Sequence, residues 1–194
     1  MSNGLRIDKM ETIGVSLDEV NLAQMNLKGI VKNTPFDFNE NLSRQFEANI
    51  YLKREDLQVV RSYKLRGAYN KIVQLSEQEK ENGVICASAG NHAQGVAYSC
   101  QQLNIKGKIV MPTTTPQQKI KQVKWFGKEH IEIILHGDTF DDASAYARQL
   151  SNEGNITFIH PFDDEKVIAG QGTVALEILN QSDKPIDYIF VPIG

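Results

Sequence analysis

Short apolar runs rich in β-branched residues alternate along this chain with longer stretches in which apolar residues recur at helical spacing. The helical spacing predicts helices over residues 17–31, 62–75, 91–103, 116–126, 139–150 and 166–180. The β-branched runs predict strands over residues 49–53, 83–87, 108–111, 131–135, 157–159 and 187–191. Strands that alternate with helices are typical of a mostly parallel sheet with right-handed crossover connections. The pattern therefore predicts an α/β fold.

Composition narrows the classes of function. The chain has 194 residues, is 41% hydrophobic and carries a formal net charge of -3, which is typical of a soluble globular protein with one large domain or two small ones. It has no long basic run, so no nucleic acid partner is expected. It shows neither a secretory signal nor an apolar stretch that could span a bilayer, so we expect a cytoplasmic protein without a membrane partner. Cys86 and Cys100 match neither a disulfide framework nor a metal motif, and both are predicted to be small core residues.

A lysine in the first turn of the helix predicted over 62–75 is the first candidate for chemistry. Ser62 is the expected cap, which places Lys64 beside unpaired backbone N–H groups at the positive end of the helix dipole. This position disfavours the ammonium form by roughly 0.3 to 1 kcal/mol. Arg61 and Arg66 would act in the same direction if they also lie close in space. A neutral amine suits a lysine that forms a Schiff base with an aldehyde, and the alternative is a solvated surface lysine.

A second candidate is the segment Ser88-Ala89-Gly90-Asn91-His92-Ala93-Gln94-Gly95, which follows a predicted strand and opens a predicted helix. Its small residues would let a carboxylate or phosphate approach the exposed N–H groups of the helix N-terminus. The alternative is a turn that Ser88 or Asn91 caps, without a ligand. The segment lacks the glycine spacing of dinucleotide-binding folds and the Gly-Lys-Ser/Thr ending of phosphate-binding NTPases.

The remaining polar residues predict structure rather than chemistry. His130, His136 and His160 lack the spacing of metal ligands, so no metal is expected. Asp138 is a candidate cap for the helix predicted over 139–150. The acidic runs 141–142 and 163–165 fit the first turns of helices, where carboxylates favour the dipole. Trp125 and Phe126 are expected to serve core or interface packing.

Four motifs follow one another along the chain: Lys53-Arg54-Glu55-Asp56-Leu57, Ser62-Tyr63-Lys64-Leu65-Arg66-Gly67-Ala68, Ser88-Ala89-Gly90-Asn91-His92-Ala93-Gln94-Gly95 and Ile168-Ala169-Gly170-Gln171-Gly172-Thr173. In this order they resemble the N-terminal part of threonine dehydratase (threonine ammonia-lyase), a fold type II pyridoxal-phosphate enzyme family related to serine dehydratase and serine racemase. The resemblance implies a three-layer α/β fold of the tryptophan synthase β type, with mostly parallel twisted sheets and flanking helices. Val191-Pro192-Ile193-Gly194 resembles the strand that leads into the family's glycine-rich phosphate loop, so we expect a truncated version of this fold.

The resemblance also implies roles for individual residues. Lys64 would carry pyridoxal 5'-phosphate as a Schiff base and would later act as general base on the α-proton of the substrate. Tyr63, where the family more often has phenylalanine, would lie against the pyridine ring, and Asn91 would hydrogen-bond the ring hydroxyl. Gly194 would begin the phosphate-binding loop. The substrate carboxylate would be surrounded by Ser88, Gly90, Asn91 and His92.

The implied reaction is the dehydration and deamination of L-threonine to 2-oxobutanoate and ammonia, the first step towards isoleucine. The full-length enzyme is expected to be a homo-oligomer. A smaller mobile domain is expected over 57–160, and a larger cofactor domain, incomplete at the C-terminus, over 1–56 and 161–194. We expect little activity from these residues alone. Serine dehydratase, serine racemase and a truncated non-catalytic fragment that binds an anion or a partner chain stay open as alternatives.

Overall fold

The computed structural model describes residues 14–192, which form eight α-helices and six β-strands. The helices are α1 (Leu17–Asn26), α2 (Glu40–Phe46), α3 (Lys64–Val73), α4 (Glu77–Asn82), α5 (Asn91–Leu103), α6 (Gln117–Gly127), α7 (Phe140–Gly154) and α8 (Glu165–Gln181). The strands are β1 (Phe36–Phe38), β2 (Tyr51–Lys53), β3 (Val84–Ala87), β4 (Gly107–Met111), β5 (Ile131–Leu135) and β6 (Thr157–Phe158). Short 3-10 helices lie at Glu55–Leu57 and Lys128–His130.

Four of the strands form one parallel sheet in the order β5-β4-β3-β6. Val84 at the start of β3 pairs with Gly107 of β4 and Thr157 of β6. Because all four strands run in the same direction, their carboxyl ends meet at one edge of the sheet, where ligands bind in folds of this class. β1 and β2 form a separate antiparallel pair.

The parallel sheet lies between two layers of helices. Val84 and Cys86 of β3 face the larger core, which α3, α5 and α6 cover, whereas Ile85 and Ala87 face the smaller core beneath α7. This alternation follows from the period of two residues along a strand. Cys86 and Cys100 are confirmed as buried core residues, and burial raises the pKa of both thiols. The three-layer α/β fold is confirmed.

α8 packs against α3 at a glycine crossing. A Cβ atom on Gly170 would lie 2.5 Å from the carbonyl oxygen of Arg66 and 2.7 Å from the Cα atom of Gly67. Both distances are shorter than any ordinary van der Waals contact, so the two helix backbones approach this closely only because Gly170 has no side chain. The crossing holds α3 between α8 and α5.

Six predicted helices and five predicted strands are confirmed, with ends that differ by a few residues. The strand predicted over 187–191 is wrong, because within residues 14–192 the segment pairs with no strand, and Tyr188 and Phe190 are exposed. Ser62 does not cap α3: Tyr63 occupies the cap position, and the buried Ser62 hydroxyl has no partner among the described residues. Thr139, rather than Asp138, caps α7 through a reciprocal bond with Asp142.

Three short elements were not predicted: β1, α2 and α4. β1 has three residues and α2 has seven, which is too short for an apolar periodicity to be recognised, and neither contains a fully buried residue. α4 did carry a readable signal, because Ser76 and Glu79 form a capping box at its start.

Candidate active site

Lys64 is the first residue of α3, and its side chain is half-buried. Its Nζ donates a hydrogen bond of 2.9 Å to the carbonyl oxygen of Pro161 and lies 5.5 Å from the centre of the Tyr63 ring. Burial lowers the pKa of the Lys64 amine below its ordinary value, because desolvation penalises the charged form. The predicted direction is confirmed, and burial is the cause that the structure shows.

The two neighbouring arginines do not act on Lys64 as expected. Arg66 is fully buried and is neutralised by two carboxylates, those of Glu55 and Glu177. Arg61 is exposed and adopts a left-handed backbone conformation, with φ of 59°. Neither arginine is therefore a source of the lowered pKa of Lys64.

Arg66 instead organises a buried network of charges. Its guanidinium binds both oxygens of Glu55 at 2.7 and 2.9 Å, and both oxygens of Glu177 at 2.7 and 3.0 Å. Lys53 completes the network with a contact of 2.6 Å to Glu177. Burial raises the pKa of Glu55, but its hydrogen bonds and charge interaction with Arg66 outweigh that effect, so the net pKa is lowered. The network connects β2, the turn that follows it, α3 and α8 around the start of the lysine-bearing helix.

The N-terminus of α5 is open towards the carboxyl edge of the sheet. Gly90 is the cap residue, and no side chain of the described residues caps this helix. The Gly90 N–H donates to Ser88 Oγ at 3.1 Å, and the first intrahelical bond is that of the Gln94 N–H. The N–H groups of residues 91–93 therefore have no intrahelical acceptor and remain available for an anion.

The space around this helix start suits a ligand. A Cβ atom on Gly90 would meet nothing within 4 Å, and the Asn91 side chain is exposed. Ser88 accepts the bond from Gly90, which leaves its hydroxyl proton free to donate. Ser88, Gly90 and Asn91 thus leave donors or open space at this helix start.

The two candidate motifs are in direct contact. A Cβ atom on Gly95 of α5 would lie 3.1 Å from the carbonyl carbon and oxygen of Lys64. This close approach places the first turn of α3 against the first turns of α5, although 19 residues, 69–87, lie between the two motifs in sequence. The fold therefore brings the predicted lysine and the predicted anion-binding loop together.

The ring of His92 forms a hydrogen bond with the backbone that follows β6. Only 3% of the residue is exposed, and Nε2 lies 3.0 Å from the carbonyl oxygen of Ile159, so Nε2 carries the proton. Nδ1 is buried and has no partner among the described residues. Burial is the main cause that lowers the pKa of His92 to about 4; the hydrogen bond to Ile159 opposes this shift, and the positive charges of Lys64 and His160 add to it. The ring is therefore neutral, and the backbone N–H is the group of His92 that can bind a carboxylate.

The segment after β6, residues 159–163, is a third part of the site that the sequence did not reveal. It supplies the carbonyl of Ile159 to His92 and the carbonyl of Pro161 to Lys64. His160, predicted to be an ordinary surface or loop histidine, lies in this loop, where its Nδ1 accepts hydrogen bonds from the N–H groups of Phe162 and Asp163. Since β6 lies beside β3 in the sheet, this segment and the Ser88 loop emerge at the same edge.

Four further predictions concern Gly194, a metal site, a membrane span and residues 125–126. Gly194 lies outside the described residues. Residues 14–192 contain no group of three or more histidine, cysteine or acidic side chains that could hold a metal ion. Among the same residues, no helix is both long enough and apolar enough to cross a membrane. Phe126 is buried in the core, whereas Trp125 is 72% exposed.

Comparisons with known proteins show similarity in both sequence and fold. A biosynthetic L-threonine dehydratase of Halalkalibacterium halodurans is 56% identical over 180 residues, which cover 93% of this chain and 43% of that protein. The processed form of threonine deaminase isoform 2 from Solanum lycopersicum is structurally similar, with a TM-score of 0.79, 46% identity and coverage of 88% of this chain and 47% of that chain. Maize serine racemase has a TM-score of 0.81 and 30% identity, with coverage of 87% and 50% of the two chains.

The chain spans 43% of the length of the curated relative it matches. The family model for pyridoxal-phosphate dependent enzymes matches residues 27–194, which is most of the chain. This match includes Lys64, the Ser88 loop and the network around Arg66. The chain therefore belongs to the pyridoxal-phosphate dependent enzyme family.

Proposed function

We propose that this chain carries the lysine and the carboxylate-binding loop of an enzyme that converts L-threonine to 2-oxobutanoate and ammonia, with pyridoxal phosphate held covalently by Lys64. One observation carries the proposal: the half-buried Lys64 amine, whose pKa burial lowers, begins a helix that contacts the helix with the open N-terminus. A nucleophilic amine beside an anion-binding helix start is what a reaction on an amino acid requires.

The residues present fit the cofactor. Lys64 donates to a neutral carbonyl, so its amine can reach the neutral form that attacks an aldehyde. The open space over Gly90 leaves room at the start of α5, the helix that the first turn of α3 contacts. We assign Tyr63 to the face of the cofactor ring, Asn91 to the ring hydroxyl and Gly194 to the phosphate loop.

In the proposed mechanism, the chain binds the substrate, orients it and moves one proton. The N–H groups at the start of α5 and the Ser88 hydroxyl bind the carboxylate, and the open backbone at Gly90 lets it approach. When it is not bonded to the cofactor, the Lys64 amine would take the α-proton of the substrate as general base. Pyridoxal phosphate supplies the electron sink for the charge left on the α-carbon. The lowered pKa of Lys64 favours the unprotonated amine that this role needs.

The similarity of the L-threonine dehydratase relative, at 56% identity, supports threonine as the substrate. Serine racemase is the second candidate, because maize serine racemase shares the fold at 30% identity. The proposed site at Lys64 and the start of α5 would bind a carboxylate and an amine, and threonine and serine both carry these two groups.

We extend the proposal to the organisation of the complete enzyme. Residues 57–160 would form the smaller domain, since the whole parallel sheet and helices α3 to α7 lie within that range. Residues 1–56 and 161–194 would belong to the larger cofactor domain. The complete enzyme would be a cytoplasmic homo-oligomer, and the free buried cysteines are compatible with a reducing compartment.

The experiment is to incubate the 194-residue chain with pyridoxal phosphate, reduce it with borohydride and map the modified lysine by peptide mass spectrometry. We expect the label on Lys64 and its loss in Lys64→Arg. Lys71 is the matched control, because it lies on the same helix but pairs with Asp164 at 2.7 Å. A label on another lysine, or none on a folded chain, would overturn the assignment.

Turnover separates the two candidate activities. Incubation of the complete enzyme with L-threonine and with L-serine, followed by measurement of 2-oxobutanoate, pyruvate and D-serine, identifies the preferred reaction. Faster release of 2-oxobutanoate is expected, whereas D-serine as the main product would favour the racemase.

A further inference from the structure

The segment 159–163 joins the two motifs of the site. The Ile159 N–H donates to the carbonyl of Ile85 at 2.8 Å, which fixes the segment to β3. The Ile159 carbonyl accepts from His92 Nε2 at 3.0 Å, and two residues later the Pro161 carbonyl accepts from Lys64 Nζ at 2.9 Å. A single short stretch of backbone thus contacts both the lysine and the histidine.

The segment is also braced from within and at its far end. His160 Nδ1 accepts from the Asp163 N–H at 2.7 Å, and Asp164 caps α8 while it pairs with Lys71. These contacts limit how far the Pro161 carbonyl can move. Its position therefore depends on the His92 bond at one end and on the α8 cap at the other.

The Pro161 carbonyl is a suitable hydrogen-bond acceptor for a lysine that must react as a neutral amine. A carboxylate at the same place would favour the ammonium form and raise the pKa of Lys64, whereas a neutral carbonyl holds the amine without adding charge. His92 adds no charge either, because its ring is buried and neutral and its one donor is used by Ile159. Lys64 and His160 are the charged or titratable groups whose charges act on His92.

We propose that the Pro161 carbonyl is the acceptor that receives the Lys64 amine whenever this lysine is not bonded to the cofactor, and that His92 is the positioning residue that sets this carbonyl. The proposal rests on the proposed role of Lys64. It assigns the ring of His92 a task separate from carboxylate binding, which falls to its backbone N–H. It also gives the freed lysine a defined resting place beside the substrate.

The test measures the accessibility of Lys64 in the chain without cofactor. Competitive acetylation with acetic anhydride, followed by peptide mass spectrometry, gives the reaction rate of Lys64 relative to that of Lys53, which is buried in the charge network. Loss of the His92 bond in His92→Ala should raise this ratio about fivefold, the effect expected when one hydrogen bond is lost. His92→Gln should stay within about twofold of the wild type, because its terminal amide can donate to Ile159 in the same way.

Two controls keep the result specific. His136→Ala removes a histidine that stacks on Tyr146, outside the contacts of the 159–163 segment, and should leave the ratio unchanged. General loosening of the fold would raise the acetylation rates of Lys53 and Lys64 together. Hydrogen exchange at the Phe162 and Asp163 N–H groups provides a second, independent measurement. Faster exchange at these two groups in His92→Ala, but not in His92→Gln, is expected.

An unchanged ratio and unchanged exchange in His92→Ala would overturn the proposal. This outcome is distinct from failure of the proposed function, because the labelling needs no cofactor. If pyridoxal phosphate modifies Lys64 but the His92 variants behave alike, then the positioning role is wrong and the function stands. If the variants differ as expected but no lysine takes up pyridoxal phosphate, then the function is wrong.

Discussion

His92 shows how burial changes the chemistry of a single side chain. An exposed histidine titrates near neutral pH, whereas burial lowers the pKa of His92 to about 4. Since its Nε2 proton is used by the Ile159 carbonyl, the ring acts as a neutral donor rather than as an acid. The histidine in the Ser88-to-Gly95 motif therefore serves the site through a hydrogen bond and not through charge.

This burial makes the stability of the chain depend on pH. The folded pKa of His92 is about 4 and its ordinary value is 6.5, so the unfolded chain binds a proton between these values that the folded chain does not bind. The contribution of His92 is complete above about pH 6.5 and declines as the pH falls towards 4. Linkage predicts a loss of about 2 kcal/mol between pH 7 and pH 5.

Urea unfolding at pH 7 and pH 5 measures this effect. The difference in free energy of unfolding between the two pH values should be about 2 kcal/mol smaller in His92→Gln than in the wild type. His160 is present in both proteins, so its contribution cancels. Equal differences in the two proteins would show that His92 is not a neutral buried group.

At the scale of elements, the charge network around Arg66 holds the start of α3 in place. Arg66 lies on α3, Glu177 on α8 and Glu55 in the turn after β2, and the Arg66 side chain is fully buried between the two carboxylates. Charges that are buried away from water in this way are stable only when each is paired with its oppositely charged partners. The helix that begins with Lys64 is thus held in place by the ion pairs of Arg66, two residues further along the chain. The close packing of Gly67 against Gly170 holds it as well.

Removal of Arg66 should therefore be costly. Arg66→Met leaves the buried Glu55 without an ionic partner and Glu177 with Lys53 alone, and it should lower the free energy of unfolding by about 3 to 5 kcal/mol. Arg44→Met is the matched control, because Arg44 pairs with Glu40 on the surface of α2, where both side chains are 76% exposed. It should change stability by no more than about 0.5 kcal/mol. Chemical denaturation of both variants checks the contrast, which similar small losses would contradict.

At the scale of the whole molecule, packing is uneven. All four residues of β3 are buried, and β3 is hydrogen-bonded to strands on both sides. The antiparallel pair of β1 and β2 has no third strand among the described residues, and α2 has no buried residue. Isolated two-stranded pairs are marginally stable, so the segment from β1 to α2 has few interactions that resist local opening.

Hydrogen exchange should reveal this difference. The amides of β1 and α2 are expected to exchange by local opening, at least about tenfold faster than those of β3 and α5, which exchange near the global unfolding limit. Exchange followed by mass spectrometry on overlapping peptides measures both regions in one sample. Equal protection of the two regions would mean that the segment unfolds only with the core.

The sequence by itself determined the six longer helices, the strands of the parallel sheet and the two motifs of the site. Helical and strand periodicities arise from the geometry of each element, so they are readable without knowledge of its neighbours. The open helix start at Gly90 was predictable for the same reason, because the first turn of any helix exposes N–H groups. Lys64 was found through its position in such a first turn.

Only the tertiary structure decided which groups these motifs contact. Lys64 donates to Pro161, which lies 97 residues further along the chain, and every residue carries a backbone carbonyl, so no pattern marks this one. Arg66 is bound by Glu177 across the crossing with α8 and not directed at Lys64. Residues 187–191 have a strand-like sequence but no strand beside them among the described residues. Desolvation, pairing and long-range hydrogen bonds depend on what surrounds a group in space, and local sequence does not contain that information.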